Sequence, residues 1–202
     1  MLRWLPCAVA LFVAPASVFA DDVKPPGSVA PVSVEETLGR MTAAYDGVKA
    51  IKAAFTQTTT GMSYFEPVVQ TGTISLEEPG KMRWDFAAPT SVQWVSDGTT
   101  LWILEQADKK ATVFTSVSEM LTTYYGFLTG TSDPRETFRV AVATDEKPPI
   151  PGAIALKMTP LRPDGSIESL RIFLDPTSRR VAGVAMLTPF GDRTDLVYSL
   201  YW

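Results

Sequence analysis

Three observations predict an α+β fold built on one large antiparallel sheet. From Ala50 onward apolar and polar residues alternate in short runs, Gly, Pro and Asp punctuate those runs, and helical spacing is confined to two main stretches. A sheet of about ten strands twists and curls, and with few helices the covered side becomes concave. The expectation is an apolar space between the sheet and the helices that lie on it.

The first element is a helix opening at Ser33. Ser33-Val34-Glu35-Glu36 is a capping box, and Val34, Leu38, Met41, Tyr45 and Val48 recur on one helical face. At Ala50 the period changes: Ile51, Ala53 and Phe55 alternate with Lys52, Ala54 and Thr56. Val68 to Leu76 is β-branched around Gly72, and Glu78-Pro79-Gly80 is a turn. Lys81 to Phe86 alternates most cleanly, with charge on one face and Met82, Trp84 and Phe86 on the other. Val92 to Ser96 and Thr99 to Leu104 form a hairpin across Asp97-Gly98, and Ala111 to Thr115 follows.

A second capping box, Ser116 to Glu119, opens a helix carrying Met120, Leu121, Tyr124, Tyr125, Phe127 and Leu128, apolar around most of its circumference. Asp133-Pro134-Arg135-Glu136 makes a brief helical turn, with proline where no donor is needed. Strands return at Phe138 to Ala143, Ala153 to Met158, Ile167 to Leu174, Val181 to Leu187 and Thr194 to Trp202.

The composition narrows the chemistry. Of 202 residues, 46% are hydrophobic and 20% charged, enough for one domain with a buried core. The net charge of -4 and the absence of a basic run argue against a nucleic-acid partner. There is no histidine and a single cysteine, Cys7, which removes Ser-His-Asp triads, Cys-His pairs and His-ligated zinc. The G-x-S-x-G, S-x-x-K, P-loop and dinucleotide fingerprints are missing as well. The carboxylate pairs Asp21/Asp22, Glu35/Glu36 and Glu77/Glu78 fall at a cleavage site, a helix cap and a turn. Neither a catalytic site, a metal site nor a cofactor is expected, and a binding protein is.

Residues 1–20 read as a cleaved secretory signal peptide: Arg3 supplies the positive start, Ala8 to Val13 the apolar stretch, and Val18-Phe19-Ala20 the cleavage pattern. Cys7 precedes that stretch, so it leaves with the signal and is not a lipidation site. Residues 21–32, with Pro25, Pro26, Gly27 and Pro31, form a flexible leader, and 33–202 form the single folded domain. Without cysteine the mature chain holds together with no disulfide in an oxidising compartment.

Trp84, Trp94 and Trp102 sit on three successive strands with Met82 and Phe86 nearby. Such aromatic density serves either as plain core or as the lining of an apolar pocket, and alternation leaves open whether Trp94 and Trp102 share a face with Trp84.

The ordered series Phe55-Thr56-Gln57, Glu78 to Phe86, Pro89, Val95-Ser96-Asp97-Gly98 and Leu101-Trp102 resembles the outer-membrane lipoprotein carrier family. The match is close from about residue 34 to 104 and looser beyond. The resemblance implies an incomplete, half-open antiparallel β-barrel whose helices cover a concave apolar face. It implies a monomeric periplasmic chaperone that takes acylated lipoproteins from an inner-membrane ABC-type release complex and passes them to an outer-membrane acceptor lipoprotein. Met82, Trp84, Phe86 and Trp94 match cavity-facing positions, and Met120 and Leu121 fall where the family's lid helix presents apolar residues. A lipid- or lipoprotein-sensing domain, or a free-lipid transporter, on the same fold is the alternative.

Two positions depart from the family pattern. Members place an arginine just before the turn proline to hold the lid, whereas Glu78 stands there, and alternation puts Arg83 on the outer face. Members also usually continue past the strand resembling Thr194 to Trp202.

Overall fold

Helix α1 runs Val34–Ala44 and is capped as its sequence requires: Ser33 Oγ accepts from the Glu36 amide at 3.1 Å. The other half of the expected capping box is absent, because the Glu36 carboxylate turns to Arg40 one turn on. Leu38, Met41 and the C-cap Tyr45 are buried. Val48 lies outside the helix, which stops a turn earlier, and Gly47 takes a left-handed φ of 71° in the exit turn. The computed structural model describes residues 33–118, 126, 132–145, 148–163 and 165–199. The signal and leader segments lie outside the described residues, as do Met120, Leu121 and most of the second helical stretch.

The strands are β1 (Ala50–Thr60), β2 (Val68–Glu77), β3 (Lys81–Phe86), β4 (Val92–Asp97), β5 (Thr100–Glu105), β6 (Lys110–Thr115), β7 (Phe138–Val142), β8 (Ile154–Pro160), β9 (Ser169–Leu174), β10 (Val181–Leu187) and β11 (Arg193–Ser199). Eleven strands stand where about ten are expected, and all pair antiparallel in one open sheet. A 3-10 turn, Pro134–Glu136, precedes β7 and is capped by Asp133.

The sheet consists of two meanders, β1 to β6 and β7 to β11, joined along their inner strands. Their order is β6-β5-β4-β3-β2-β1-β11-β10-β9-β8-β7. The seam is β1 against β11, with Ala54 opposite Ser199 and Thr60 opposite Arg193. β6 and β7 are the two edges, so the sheet curls without closing. The chain between these edges leaves β6 at Val117, whose amide donates to the Thr99 carbonyl at 3.0 Å and whose side chain is buried in the main core.

Period-two alternation sorts the strands into faces. The inner face gathers Phe55, Ile74, Trp84, Leu156, Met158, Ile172, Val184 and Tyr198 under α1, in one continuous core. The helix is pinned at its C-terminal end: Val181 N–H donates to the Tyr45 phenol oxygen at 2.9 Å, and Arg180 Nε to the Ala44 carbonyl at 3.3 Å. The outer face is polar over most of β1 to β3 but carries a small second core, where Ala143, Ile150 and Ala153 fold back over Ala155, Phe173 and Ala185.

Turn chemistry locks the register. Asp97 accepts from the amides of Thr99 and Thr100, both at 2.8 Å, and these bonds, with the Thr99 hydroxyl, hold its carboxyl below the usual range. Gly98 packs so tightly against the β2–β3 turn that a Cβ there would stand 2.8 Å from the Pro79 carbonyl oxygen. Glycine is therefore required at this crossing of two hairpin ends.

Candidate functional site

The expected cavity residues of β3 and β4 meet on one face. Met82, Trp84 and Phe86 are buried on the inner side of β3, and Trp94 is directly opposite Trp84 in the β3–β4 register and half-buried. The Trp84 and Trp94 ring centroids lie 6.4 Å apart, and Phe86 lies 5.7 Å from Trp94. Trp84 and Phe86 stack at 6.3 Å with an interplanar angle of 19°. Trp102 pairs with Val95 and therefore falls on the outer face, which resolves the open question of alternation.

A residue that site selection from sequence missed stands at the centre of this cluster. Phe55 on β1 lies 5.0 Å from Trp84 and 5.2 Å from Phe86, edge-on to the latter. Its alternation with Lys52 and Thr56 marked it as inward-facing; only the β1–β2–β3 register reveals that it crosses over Gly72 to reach the β3 aromatics.

The floor these rings form is bounded by polar residues at both ends. Toward the β1–β2 loop, Gln57 Nε2 donates to Gln70 Oε1 at 3.0 Å, and Gln70 Nε2 donates to the Thr90 hydroxyl at 3.0 Å. At the other end buried Ser96 accepts from the Gly98 amide at 3.0 Å. Beside this floor, under Tyr45, a small void bounded by Ile51, Ala53, Ile74, Leu76, Val181 and Tyr198 measures about 20 Å³, room for about one water molecule.

Two larger clefts lie nearby, the first of them reaching Met82 and Ser96 at one end of the floor. One, of about 580 Å³, runs along the ends of β1 to β4 past Leu76 and Met82. The other, of about 800 Å³, runs along α1 and the turn after it and is lined by Glu35, Asp46, Lys49, Glu78, Asp133 and Arg135. Glu78 thus faces a charged cleft, its amide held by the Lys49 carbonyl at 3.0 Å. Arg83 is on the outer face as expected, forked onto Asp85 at 2.7 and 2.8 Å. In the charged cleft, Arg135 bonds the Asp133 carboxylate and keeps that carboxyl below its ordinary range.

Among the described residues no three His, Cys, Asp or Glu side chains gather as metal ligands, and no helix is long and apolar enough to cross a membrane. An open antiparallel half-barrel with an aromatic floor on its inner face defines the class of fold, and the floor is the candidate ligand-binding surface. The chain belongs to the family of outer membrane lipoprotein carrier protein LolA, whose model matches residues 46–199. An outer-membrane lipoprotein carrier protein of Dechloromonas aromatica is 24% identical over 151 residues, covering 75% of this chain and 70% of that protein. One of Chromobacterium violaceum is 24% identical over 174 residues, covering 86% and 80%. Among solved structures, an uncharacterized conserved protein of Thermus thermophilus shares the fold with a TM-score of 0.52 at 10% identity, covering 85% of this chain and 87% of that one.

Proposed function

We propose that the protein is a periplasmic lipoprotein carrier that shelters acyl chains on the inner face of the half-barrel. The observation that carries the reading is the aromatic floor of Phe55, Trp84, Phe86 and Trp94 in a chain of the carrier family. Met82 extends this floor, and Met120 and Leu121, outside the described residues, are further acyl-chain contacts in this reading. Each CH₂ removed from water is worth about 0.8 kcal/mol, so even partial sheltering of a long chain keeps a lipoprotein soluble.

No covalent chemistry or cofactor is needed. Cargo arrives from an inner-membrane ABC-type release complex, and a more apolar acceptor lipoprotein at the outer membrane draws it away. The carrier works as a monomer; residues 1–20 direct it to the periplasm, and 33–202 form the carrier domain.

Native mass spectrometry of the protein purified from its host's periplasm tests this directly. A co-purifying acylated polypeptide is expected. Free lipid alone assigns the scaffold to lipid transport or sensing, and an empty protein that also fails to extract lipoproteins from inner-membrane vesicles overturns the carrier reading.

A further inference from the structure

The largest exposed apolar side chains do not lie on the aromatic floor but at one tip of the sheet. Met62 is 93% exposed, Phe65 wholly so and Phe190 77%, with Tyr64 also turned outward. The first two sit in the β1–β2 loop and Phe190 in the β10–β11 turn, two loops far apart in sequence. Asp192 ties them together: its carboxylate accepts from the Ser63 amide at 3.2 Å and from the Ser63 hydroxyl at 2.8 Å. A Cβ at Gly61 would overlap Asp192, so the two loops are in close backbone contact. The turn is itself tight, with Thr188 N–H donating to the Asp192 carbonyl at 2.9 Å. The two loops that carry these side chains are therefore tied to one another.

Charge is sparse along the two loops themselves, where the Asp192 carboxylate is engaged by Ser63. Between Lys52 and Glu77 the only charged residue is Glu66, and between Arg180 and Asp192 there is none. Arg193 is paired with Asp195 at 2.7 Å. Behind the apolar tip stands a collar of neutral hydroxyls, Thr58, Thr59, Thr60, Thr188 and Thr194, with Thr59 and Thr194 touching at 3.4 Å. Apolar and aromatic anchors in front of neutral hydrogen-bonding groups match the gradient of a bilayer interface. The missing cationic groups exclude attraction to anionic headgroups as the driving force.

We propose that this tip is a membrane-contact surface, with Met62, Phe65 and Phe190 entering the interfacial layer of a bilayer of neutral phospholipids. The contact is apolar, reversible and independent of salt. It places the ends of β1, β2, β10 and β11 at the membrane, and it does not depend on what the aromatic floor binds.

The test uses cargo-free protein and phosphatidylcholine vesicles, with binding read by sedimentation at 0.1 and 0.5 M salt. Wild type is expected to sediment with the vesicles equally at both salts, and the combined variant M62S/F65S/F190S to partition at least tenfold less with an unchanged melting temperature. In a separate Phe65→Trp variant, the added emission is expected to be quenched by phosphatidylcholine with brominated acyl chains. Binding lost at high salt, a triple variant that binds like wild type, or no quenching of the new tryptophan overturns the proposal. So does a wild type that ignores vesicles, including one that binds only a protein partner.

Discussion

The ring of Phe55 occupies the space that a side chain at Gly72 would need. A Cβ at Gly72 would stand 2.7 Å from Phe55 Cζ and would overlap the Asp85 carbonyl oxygen, so the bare backbone of β2 lets an aromatic from β1 lean across to β3. This crossing links β1, the strand at the β11 seam, to the aromatic floor on β3.

Gly72→Ala is therefore expected to cost about 2–3 kcal/mol through overpacking against backbone, a fall in melting temperature of roughly 5–10 °C. Adding Phe55→Leu should recover only part of the loss, because the Asp85 carbonyl clash remains. Thermal melts of the single and double variants check both statements; full recovery would assign the whole cost to the ring.

Trp84 and Trp94 face each other yet differ in burial, and this separates folding from cargo binding. Trp84 is 3% exposed, so Trp84→Glu buries an unpaired charge and is expected to destabilise the fold by more than about 3 kcal/mol. Trp94→Glu places the charge at the half-buried edge of the floor. It should leave the melt within a few degrees of wild type while abolishing lipoprotein extraction from inner-membrane vesicles. A folded Trp94→Glu protein that handles cargo normally removes Trp94 from the site.

The Tyr45 phenol joins α1 to β10, and burial raises its pKa above the ordinary value of 10.0 despite the Val181 hydrogen bond. Tyr45→Phe deletes that acceptor and is expected to cost about 1 kcal/mol. The phenol must stay protonated in the folded chain, whereas the unfolded chain ionises it near pH 10, so its contribution is full below pH 10 and declines above it. Melts between pH 9 and 11 should fall more steeply for wild type than for Tyr45→Phe.

Asp97 has the opposite sign. Hydrogen bonds from the Thr100 and Thr99 amides lower its pKa in the folded chain from 3.8, so its contribution is present above that value and is lost as the pH falls through the folded pKa. Asp97→Ala should melt lower at pH 6 and lose less between pH 6 and pH 3 than wild type does. Parallel acid profiles would show that the β4–β5 turn does not depend on the carboxylate.

Much of the local structure was legible in the residues. Lys81 to Phe86 alternates without interruption and β3 has those bounds; Ser33 caps α1; Asp97 and Gly98 turn the β4–β5 hairpin. These features are set within a few residues by side-chain period, turn chemistry and capping. The misreadings are also local. Glu36 prefers an arginine one turn away to the Ser33 amide, and the helix ends before Val48 because the chain must turn into β1. The site was legible in part: Met82, Trp84 and Phe86 share a strand, but Phe55 joins them only through strand register.

By itself the sequence determined which faces are apolar, where the chain turns, and that no histidine or cysteine chemistry is available to the folded domain. Period and composition act over a handful of neighbours, and that range covers these properties. Tertiary structure alone decided that β1 closes against β11, that Val181 reaches the Tyr45 phenol, that Trp94 sits over Trp84 while Trp102 turns away, and that Ser63 meets Asp192 at the tip. Each of these relations joins separate strands or loops, most of them distant in sequence. Each is chosen by the simultaneous burial of both faces and the pairing of every inner strand, which no local segment encodes.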